Sequence, residues 1–156
     1  MSSAQRPARI GQVRHCACFN LRKATRAVTQ YYDDLLRPSG LRTTQFSLLA
    51  LLRLLGTASI SELAEATVMD RTTLARNLDV LVGQRLVRIR PGADGRVREV
   101  SLTRAARKRL AAALPLWEKA QAQIAERLGA ERMERILGDL SAAIAAAQPK
   151  PTLTKG

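Results

Sequence analysis

Five polar residues between positions 71 and 77 have side chains that can hydrogen bond to nucleic acid. They are Arg71, Thr72, Thr73, Arg76 and Asn77. Guanidinium, hydroxyl and amide groups meet phosphates and base edges when the first turns of a helix enter the major groove of DNA. Every amphipathic helix also has a solvated polar face, so a surface with no ligand is the alternative for these residue types taken alone.

The surrounding pattern predicts two short amphipathic helices joined by a polar turn. Ser59 and Glu62 have the spacing of a capping box, which starts the first helix, and this helix should end near Val68. Asp70 can cap the second helix because its carboxylate accepts hydrogen bonds from the free backbone donors. Helical spacing predicts a buried face on that helix, made of Leu74, Leu78, Leu81 and Val82. The polar residues then lie on the opposite side, and the helix ends at or soon after Gly83.

A β-hairpin is predicted after this helix. Residues 85–90 and 96–102 alternate apolar and polar types as half-buried strands do. The Pro-Gly-Ala-Asp-Gly segment between them consists of residue types that are typical of turns. Four arginines would project from the hairpin: Arg88, Arg90, Arg96 and Arg98. Arginine is favoured along phosphates and in the minor groove because the potential there is negative.

The chain resembles the MarR family of winged helix-turn-helix transcriptional regulators. The residues that carry the resemblance are the run Asp-Arg-Thr-Thr-Leu-Ala-Arg-Asn-Leu at 70–78, Leu81-Val82-Gly83, Leu86-Val87-Arg88, Asp94-Gly95-Arg96 and Val100-Ser101-Leu102-Thr103. It implies a mostly α fold with a small β-hairpin wing, flanked by N- and C-terminal dimerisation helices. It also implies that Asp94, at the tip of the wing, orients Arg96 for the minor groove.

The resemblance and the helical periodicity together suggest how the chain is organised. We expect a flexible N-terminus at 1–11, a MarR-type domain at 12–147 and a disordered tail at 148–156. Within the domain, 43–101 forms the winged-helix DNA-binding lobe, while 12–37 and 103–147 form the dimerisation helices. Thr43 is expected to cap the helix that opens the lobe, and Thr103 the long helix that follows it.

A homodimer is expected because the terminal helices have more apolar surface than one small lobe can cover. In the resembled family these helices pack against the same helices of a second chain, which gives an isologous dimer. Packing within one chain is the alternative. Two-fold symmetry would place the two reading helices roughly 34–36 Å apart, which suits a pseudo-palindromic operator in double-stranded DNA.

Composition limits the classes of function that the chain can have. A net charge of +13 favours polyanionic partners, so a sequence-independent protein that coats nucleoid DNA or RNA is the alternative function. Aromatic residues make up only 3%, too few for the stacking platforms that hold RNA and single strands. Without an apolar run of roughly 18 residues or a signal core, we expect a cytoplasmic protein with no membrane partner. Because no catalytic or nucleotide-binding motif appears, we expect neither enzyme activity nor a cofactor.

The segment His15-Cys16-Ala17-Cys18 is the best candidate for sensing a signal. Its spacing fails the usual patterns of zinc ligands, so no metal site is predicted. Two cysteines that are two residues apart on one helix point in nearly opposite directions, which disfavours a disulfide between them. A small buried core cysteine is the alternative to a sensing role.

Cys18-Phe19-Asn20-Leu21 resembles the opening of the organic-peroxide-sensing branch of the MarR family, in which this cysteine is oxidised and DNA is released. Tyr32 falls where that branch has a tyrosine that contacts the thiolate, whereas Arg22 and Thr43 stand where its other tyrosines would be. Arg22 lies one helical turn from Cys18 and could favour the thiolate. Cys18, Cys16, Arg22 and Tyr32 are therefore the candidate sensing residues.

The resemblance also implies a small-molecule effector, often a phenolic or aromatic acid, held between the DNA-reading lobe and the dimerisation helices. Arg22, Arg26, Tyr31 and Trp117 are residue types that could line such a cleft. The sequence therefore predicts a homodimeric repressor, released from its operator by such an acid or by an oxidant.

Overall fold

The computed structural model describes residues 10–93 and 95–148. Those residues form six α-helices and a three-stranded antiparallel sheet. The helices are α1 (Ala17–Leu36), α2 (Thr43–Leu55), α3 (Ile60–Thr67), α4 (Arg71–Gly83), α5 (Arg104–Leu128) and α6 (Ala130–Ala147). The strands are β1 (Thr57–Ser59), β2 (Val87–Pro91) and β3 (Arg98–Leu102). The predicted class, a mostly α winged helix-turn-helix, is confirmed.

The first helix is shorter than the sequence predicted. A 3-10 turn, Gln12–His15, precedes Cys16, whose backbone is extended at φ −69° and ψ 121°, and α1 begins only at Ala17. The Asn20 amide donates hydrogen bonds to the carbonyls of Arg14 at 2.8 Å and of Cys16 at 2.9 Å. Because these carbonyls have a side-chain partner, the chain can turn here without continuing a helix. The termini that were expected to be flexible lie largely outside the described residues.

The prediction that Thr43 caps α2 is also wrong. Thr43 is the first residue of the helix and does not cap it with its hydroxyl, which is buried without a hydrogen-bond partner among the described residues. Instead, the Thr43 amide donates to Asp33 Oδ1 of α1 at 2.6 Å, and Arg42 Nη1 lies 3.6 Å from Asp33 Oδ2. A carboxylate is a stronger acceptor than a hydroxyl and suits the positive end of the helix dipole. Asp33 therefore connects α1 to the start of the lobe through a hydrogen bond and an ion pair.

The core of the lobe lies between α2, α3, α4 and the sheet. Its fully buried side chains include Leu49, Leu52, Leu63, Leu74, Leu78, Leu81, Leu86 and Val100. This confirms three of the four residues predicted for the buried face of α4. The prediction that Val82 is buried is wrong, since its side chain is 42% exposed. Val82 lies about 100° around the helix from Leu81 and therefore does not face the core.

The predicted hairpin is confirmed, and it gains a strand that the sequence did not reveal. The strand order is β1-β3-β2, and Ala58 and Ile89 both pair with Val100 of the central strand. Opposite residues of antiparallel strands share a face, so these three apolar residues face the core together. The sheet thereby fixes the wing to the segment between α2 and α3.

The terminal helices leave apolar side chains in solvent. Thr103 starts α5 as predicted, since its Oγ1 accepts the Ala106 amide at 3.1 Å. The chain divides into two compact units after Trp117. Large apolar side chains are exposed on α1 in the first unit (Phe19, Leu21 and Val28) and on α6 in the second (Leu137, Leu140 and Ile144).

Removal of the Asp33 carboxylate should destabilise the chain. We expect Asp33→Ala to lower the free energy of unfolding by roughly 1.5–3 kcal/mol, because the amide of Thr43 loses a charged acceptor. Asp34→Ala is the matched control, since among the described residues Asp34 pairs only with the exposed Arg37, and it should cost about 0–1 kcal/mol. Urea unfolding of the two variants measures the difference. Equal losses would show that Asp33 has no special role.

Candidate nucleic-acid interface

Helix α3 begins at the predicted capping box. The Glu62 amide donates to Ser59 Oγ at 3.1 Å, and the Ser59 amide donates to Glu62 Oε2 at 2.7 Å. Hydrogen bonds from the backbone and then the side chain of Ser59 lower the pKa of Glu62. The charged carboxylate thus satisfies backbone donors at the end of the helix where the dipole is positive.

The turn between α3 and α4 ends at Asp70, which caps α4 as predicted. Asp70 Oδ1 accepts the Thr73 amide at 2.9 Å, and Asp70 Oδ2 accepts the Thr73 hydroxyl at 2.6 Å. The hydroxyl bond is the larger cause, and the amide bond the next, of a pKa for Asp70 below its ordinary value of 3.8. One side chain therefore fixes both the backbone and the hydroxyl of Thr73.

Asn77 continues this network along α4. Its Nδ2 donates to the Thr73 carbonyl at 3.0 Å and lies 3.8 Å from Met69 Sδ, and the residue is half-buried. The polar groups of Thr73 and Asn77 that the sequence assigned to DNA thus already have hydrogen-bond partners within the same chain, although Thr73 is exposed. They connect the first two turns of α4 to the preceding turn.

Two of the other predicted residues of α4 face outward. Thr72 and Arg76 are exposed and four positions apart, on the side opposite Leu74 and Leu78. In the described part of the chain, neither side chain makes a hydrogen bond or an ion pair. Arg71, at the start of the helix, donates from Nη2 to Ser61 Oγ of α3 at 3.2 Å.

The strands of the wing divide its arginines between two faces. Arg88 and Arg90 are two residues apart on β2, so both lie on the outer face, where Arg90 stands directly opposite Glu99 of β3 in the strand register. Arg98 stands opposite Pro91 in the register and lies on the other face, at the end of the hairpin. All three arginines are exposed, and none forms an ion pair with another described residue. Glu99, which the sequence analysis did not assign, places a negative charge among the outer-face arginines.

The tip of the wing is only partly described. Asp94 lies outside the described residues, so its predicted role in orienting the exposed Arg96 stays a prediction. The Gly92 amide donates to the Val97 carbonyl at 2.6 Å, and a Cβ on Gly92 would lie 2.9 Å from Glu99 Oε1. Gly95 has φ +69°, in the left-handed region. The left-handed φ favours glycine at position 95, whereas a side chain at position 92 would displace the flexible end of Glu99.

The two cysteines are free and exposed, so the buried-core interpretation of Cys18 is not supported in this chain. Cys16 lies outside α1, so the prediction that both cysteines lie on one helix is wrong. Burial raises the pKa of Tyr32, and the neighbouring Tyr31 adds to this effect. Fourteen residues separate Cys18 from Tyr32 on α1, a rise of about 21 Å. The thiol and the phenol cannot meet within one chain, and Arg22 is exposed beside the first turn.

A cleft of about 640 Å³ lies between α1 and the start of α2. Of the residues proposed for an effector cleft, only Arg26 lines it, whereas Trp117 stacks on Phe46 with ring centroids 5.8 Å apart. The other arginines that line the cleft are paired: Arg37 with Asp34, and Arg42 with Asp33. Arg26 has no ion pair in the part of the chain that the structure describes.

The described residues include no group of three or more histidine, cysteine or acidic side chains that could hold a metal ion. Among the described helices, none combines the length and the apolar character needed to cross a membrane.

The comparisons with known proteins agree with this geometry. The sequence profile of the MarR family matches residues 39–97. Transcriptional regulator MosR of M. tuberculosis, solved in complex with DNA, is 42% identical with a TM-score of 0.76, over 86% of this chain and 99% of that chain. The transcriptional repressor CouR, bound to a 23-mer DNA duplex, is 24% identical with a TM-score of 0.76, over 86% of this chain and 96% of that one.

A mutant of MarR from E. coli, solved with operator DNA, is 19% identical with a TM-score of 0.71, over 92% of this chain and 99% of that chain. At these identities, the CouR and E. coli structures show a common fold alone. No curated protein matched the chain.

The cap of α4 should make stability depend on pH. Because the pKa of Asp70 is lower in the folded chain, the carboxylate stabilises the fold fully above about its ordinary value of 3.8. That contribution is lost as the pH falls through the lower folded value. We expect Asp70→Ala to melt at a lower temperature than wild type at pH 7, and the difference to shrink below pH 3.8.

Asp79→Ala is the control for this experiment, because Asp79 is an exposed carboxylate on the same helix that caps nothing. Thermal melts of all three proteins between pH 3 and pH 7 give the comparison. A difference between wild type and Asp70→Ala that stays constant over this range would contradict the capping role of the charge.

Proposed function

The chain belongs to the MarR family of DNA-binding transcriptional regulators, and we propose that it is a homodimeric repressor of a pseudo-palindromic operator. The observation that carries this proposal is the outward face of α4, where Thr72 and Arg76 are exposed while Thr73 and Asn77 hydrogen bond within the helix-turn-helix. The DNA complex of MosR supports placing that face against a duplex. Release by a small-molecule or oxidative signal completes the proposal.

Each polar residue then has a defined role at the interface. Thr72 and Arg76 read base edges in the major groove, because an arginine can bond bidentately to guanine. Thr73 and Asn77 contact nearby phosphates at most, since their polar groups hold the turn. Arg71, Arg88, Arg90 and Arg98 contact the phosphate backbone, and Arg96 enters the minor groove with Asp94 beside it.

The apolar side chains exposed on the terminal helices support the homodimer. On α1, Phe19 is 49% exposed and Val28 is 45% exposed. On α6, Leu137 is 51% exposed and Ile144 is 48% exposed. Side chains of this size at helical spacing on two helices are typical of surfaces that a second subunit covers. We propose that α1 and α6 form the dimer interface, with residues 43–101 as the DNA-binding lobe.

The proposed signal acts on α1. Cys18 is exposed in the first turn of this helix, so an oxidant can reach its thiol in a single chain. A tyrosine that contacts this thiol cannot be the same chain's Tyr32, about 21 Å away, and would come from the second copy. A phenolic or aromatic acid is the other candidate signal, and Arg26 is the cation in the cleft beside α1 that could bind its carboxylate.

Operator recognition is tested by footprinting the chain on the DNA upstream of its own gene, at physiological salt and with competitor DNA. We expect protection of a short inverted repeat by a particle of twice 17.1 kDa, as measured by light scattering. Uniform coating of the DNA would favour the sequence-independent alternative. A monomer bound to a single half-site would contradict the dimer.

Two variants separate base reading from phosphate binding in that complex. Arg76→Ala should weaken operator binding by roughly 1–3 kcal/mol and relax the preference at one base pair. Arg88→Ala should weaken operator and unrelated DNA alike and reduce the salt dependence of log K by about one unit. If both variants behave in the same way, α4 does not read bases.

The sensing role is tested by the operator affinity of wild type, Cys18→Ser and Cys16→Ser, with and without an organic hydroperoxide. We expect the oxidant to weaken binding by wild type, and to leave Cys18→Ser unaffected because the exposed thiol is absent. The Cys16→Ser variant controls for reaction at the neighbouring thiol. An equal response in wild type and Cys18→Ser would eliminate Cys18 as the trigger.

A further inference from the structure

Val68, in the turn between α3 and α4, has an uncommon backbone conformation. Its φ of 54° and ψ of 35° are left-handed, a region that β-branched residues rarely adopt because Cβ then crowds the backbone. The turn imposes this conformation, since the Val68 amide donates to the carbonyls of Ala64 and Glu65 at the end of α3. Glycine or asparagine would meet the same requirement with less strain.

Packing within the chain does not explain a valine at this position. The Val68 side chain is 56% exposed, whereas Met69, the next residue, is half-buried against the core. The chain therefore holds a strained, branched apolar group in solvent where a smaller residue would fit. Such strain is typical of positions where the side chain has a binding function.

The position of Val68 indicates what it would contact. It lies two residues before Asp70, the cap of α4, and four before Thr72 on the outward face of that helix. When the first turns of α4 enter the major groove, the turn that contains Val68 enters beside them. The apolar group that base pairs present in this groove is the C5-methyl of thymine.

We propose that Val68 is a specificity-determining residue whose isopropyl group packs on the methyl group of one operator thymine. The inference rests on the proposed function, and it adds a base-specific contact from outside the recognition helix. It also gives a physical reason for the strained valine, because a glycine at this position would have no side chain to place against the methyl group.

The test is a double-mutant cycle between the protein and the operator. Each thymine of the protected repeat is replaced in turn by uracil, which lacks the methyl group, and the affinity of each duplex is measured for wild type and Val68→Asn. Asparagine tolerates the left-handed backbone conformation and has no methyl group, whereas threonine would keep one that can pack on thymine. We expect one uracil position to weaken wild type by about fourfold, the factor for one buried methyl group, and to have little further effect on Val68→Asn.

Val82→Asn is the matched control, because Val82 is a similarly exposed valine at the far end of α4. It should respond to every uracil substitution as wild type does. If no uracil position distinguishes Val68→Asn from wild type, the inference is overturned although operator binding stands. Failure of wild type to protect any inverted repeat would instead overturn the proposed function itself.

Val68→Gly provides a second, independent measurement. Removal of the strained side chain should raise the melting temperature and at the same time weaken operator binding, with the largest loss on the duplex that keeps the critical thymine. A glycine variant that is more stable and binds the operator as tightly as wild type would overturn the assigned contact.

Discussion

The geometry of the proposed DNA-reading surface depends on the carboxylate of Asp70. It accepts hydrogen bonds from both the amide and the hydroxyl of Thr73 at the end of α4 where the dipole is positive. Asn77 then bonds to the Thr73 carbonyl and reaches Met69 in the preceding turn. A helix of thirteen residues has little intrinsic stability, so this cap and the buried leucines together fix which of its side chains face outward.

Features with local causes could be predicted from the sequence. The capping box of α3, the cap of α4, the end of α4 near Gly83 and the hairpin each depend on residues within a few positions of one another. Features that depend on distant partners could not. The backbone amide of Thr43, at the start of α2, donates to the side chain of Asp33, ten residues earlier. The three residues of β1 form a strand only because they pair with β3, about forty residues later.

The candidate site shows the same division. Residue types indicated a polar face on α4, but not that Thr73 and Asn77 bond to neighbours in the chain while Thr72 and Arg76 do not. The alternation of the wing was visible, whereas the position of Glu99 among the outer-face arginines follows from the register of β2 and β3. A sequence pattern indicates which residues share one face of a helix or strand, but not which group each side chain bonds to. That bonding partner decides whether a polar side chain can still bind a ligand.

Charge and specificity therefore have separate origins in this chain. A net charge of +13 attracts any polyanion, and this attraction weakens steeply with salt because it releases counterions from DNA. Sequence preference must come from the few groups that reach base edges, since phosphate contacts carry no sequence information directly. Thr73 and Asn77 already hydrogen bond within the helix-turn-helix, so the proposed reading surface of one chain rests on few side chains. A second copy doubles the number of base contacts at fixed spacing, which is the physical advantage of a dimer on a symmetric site.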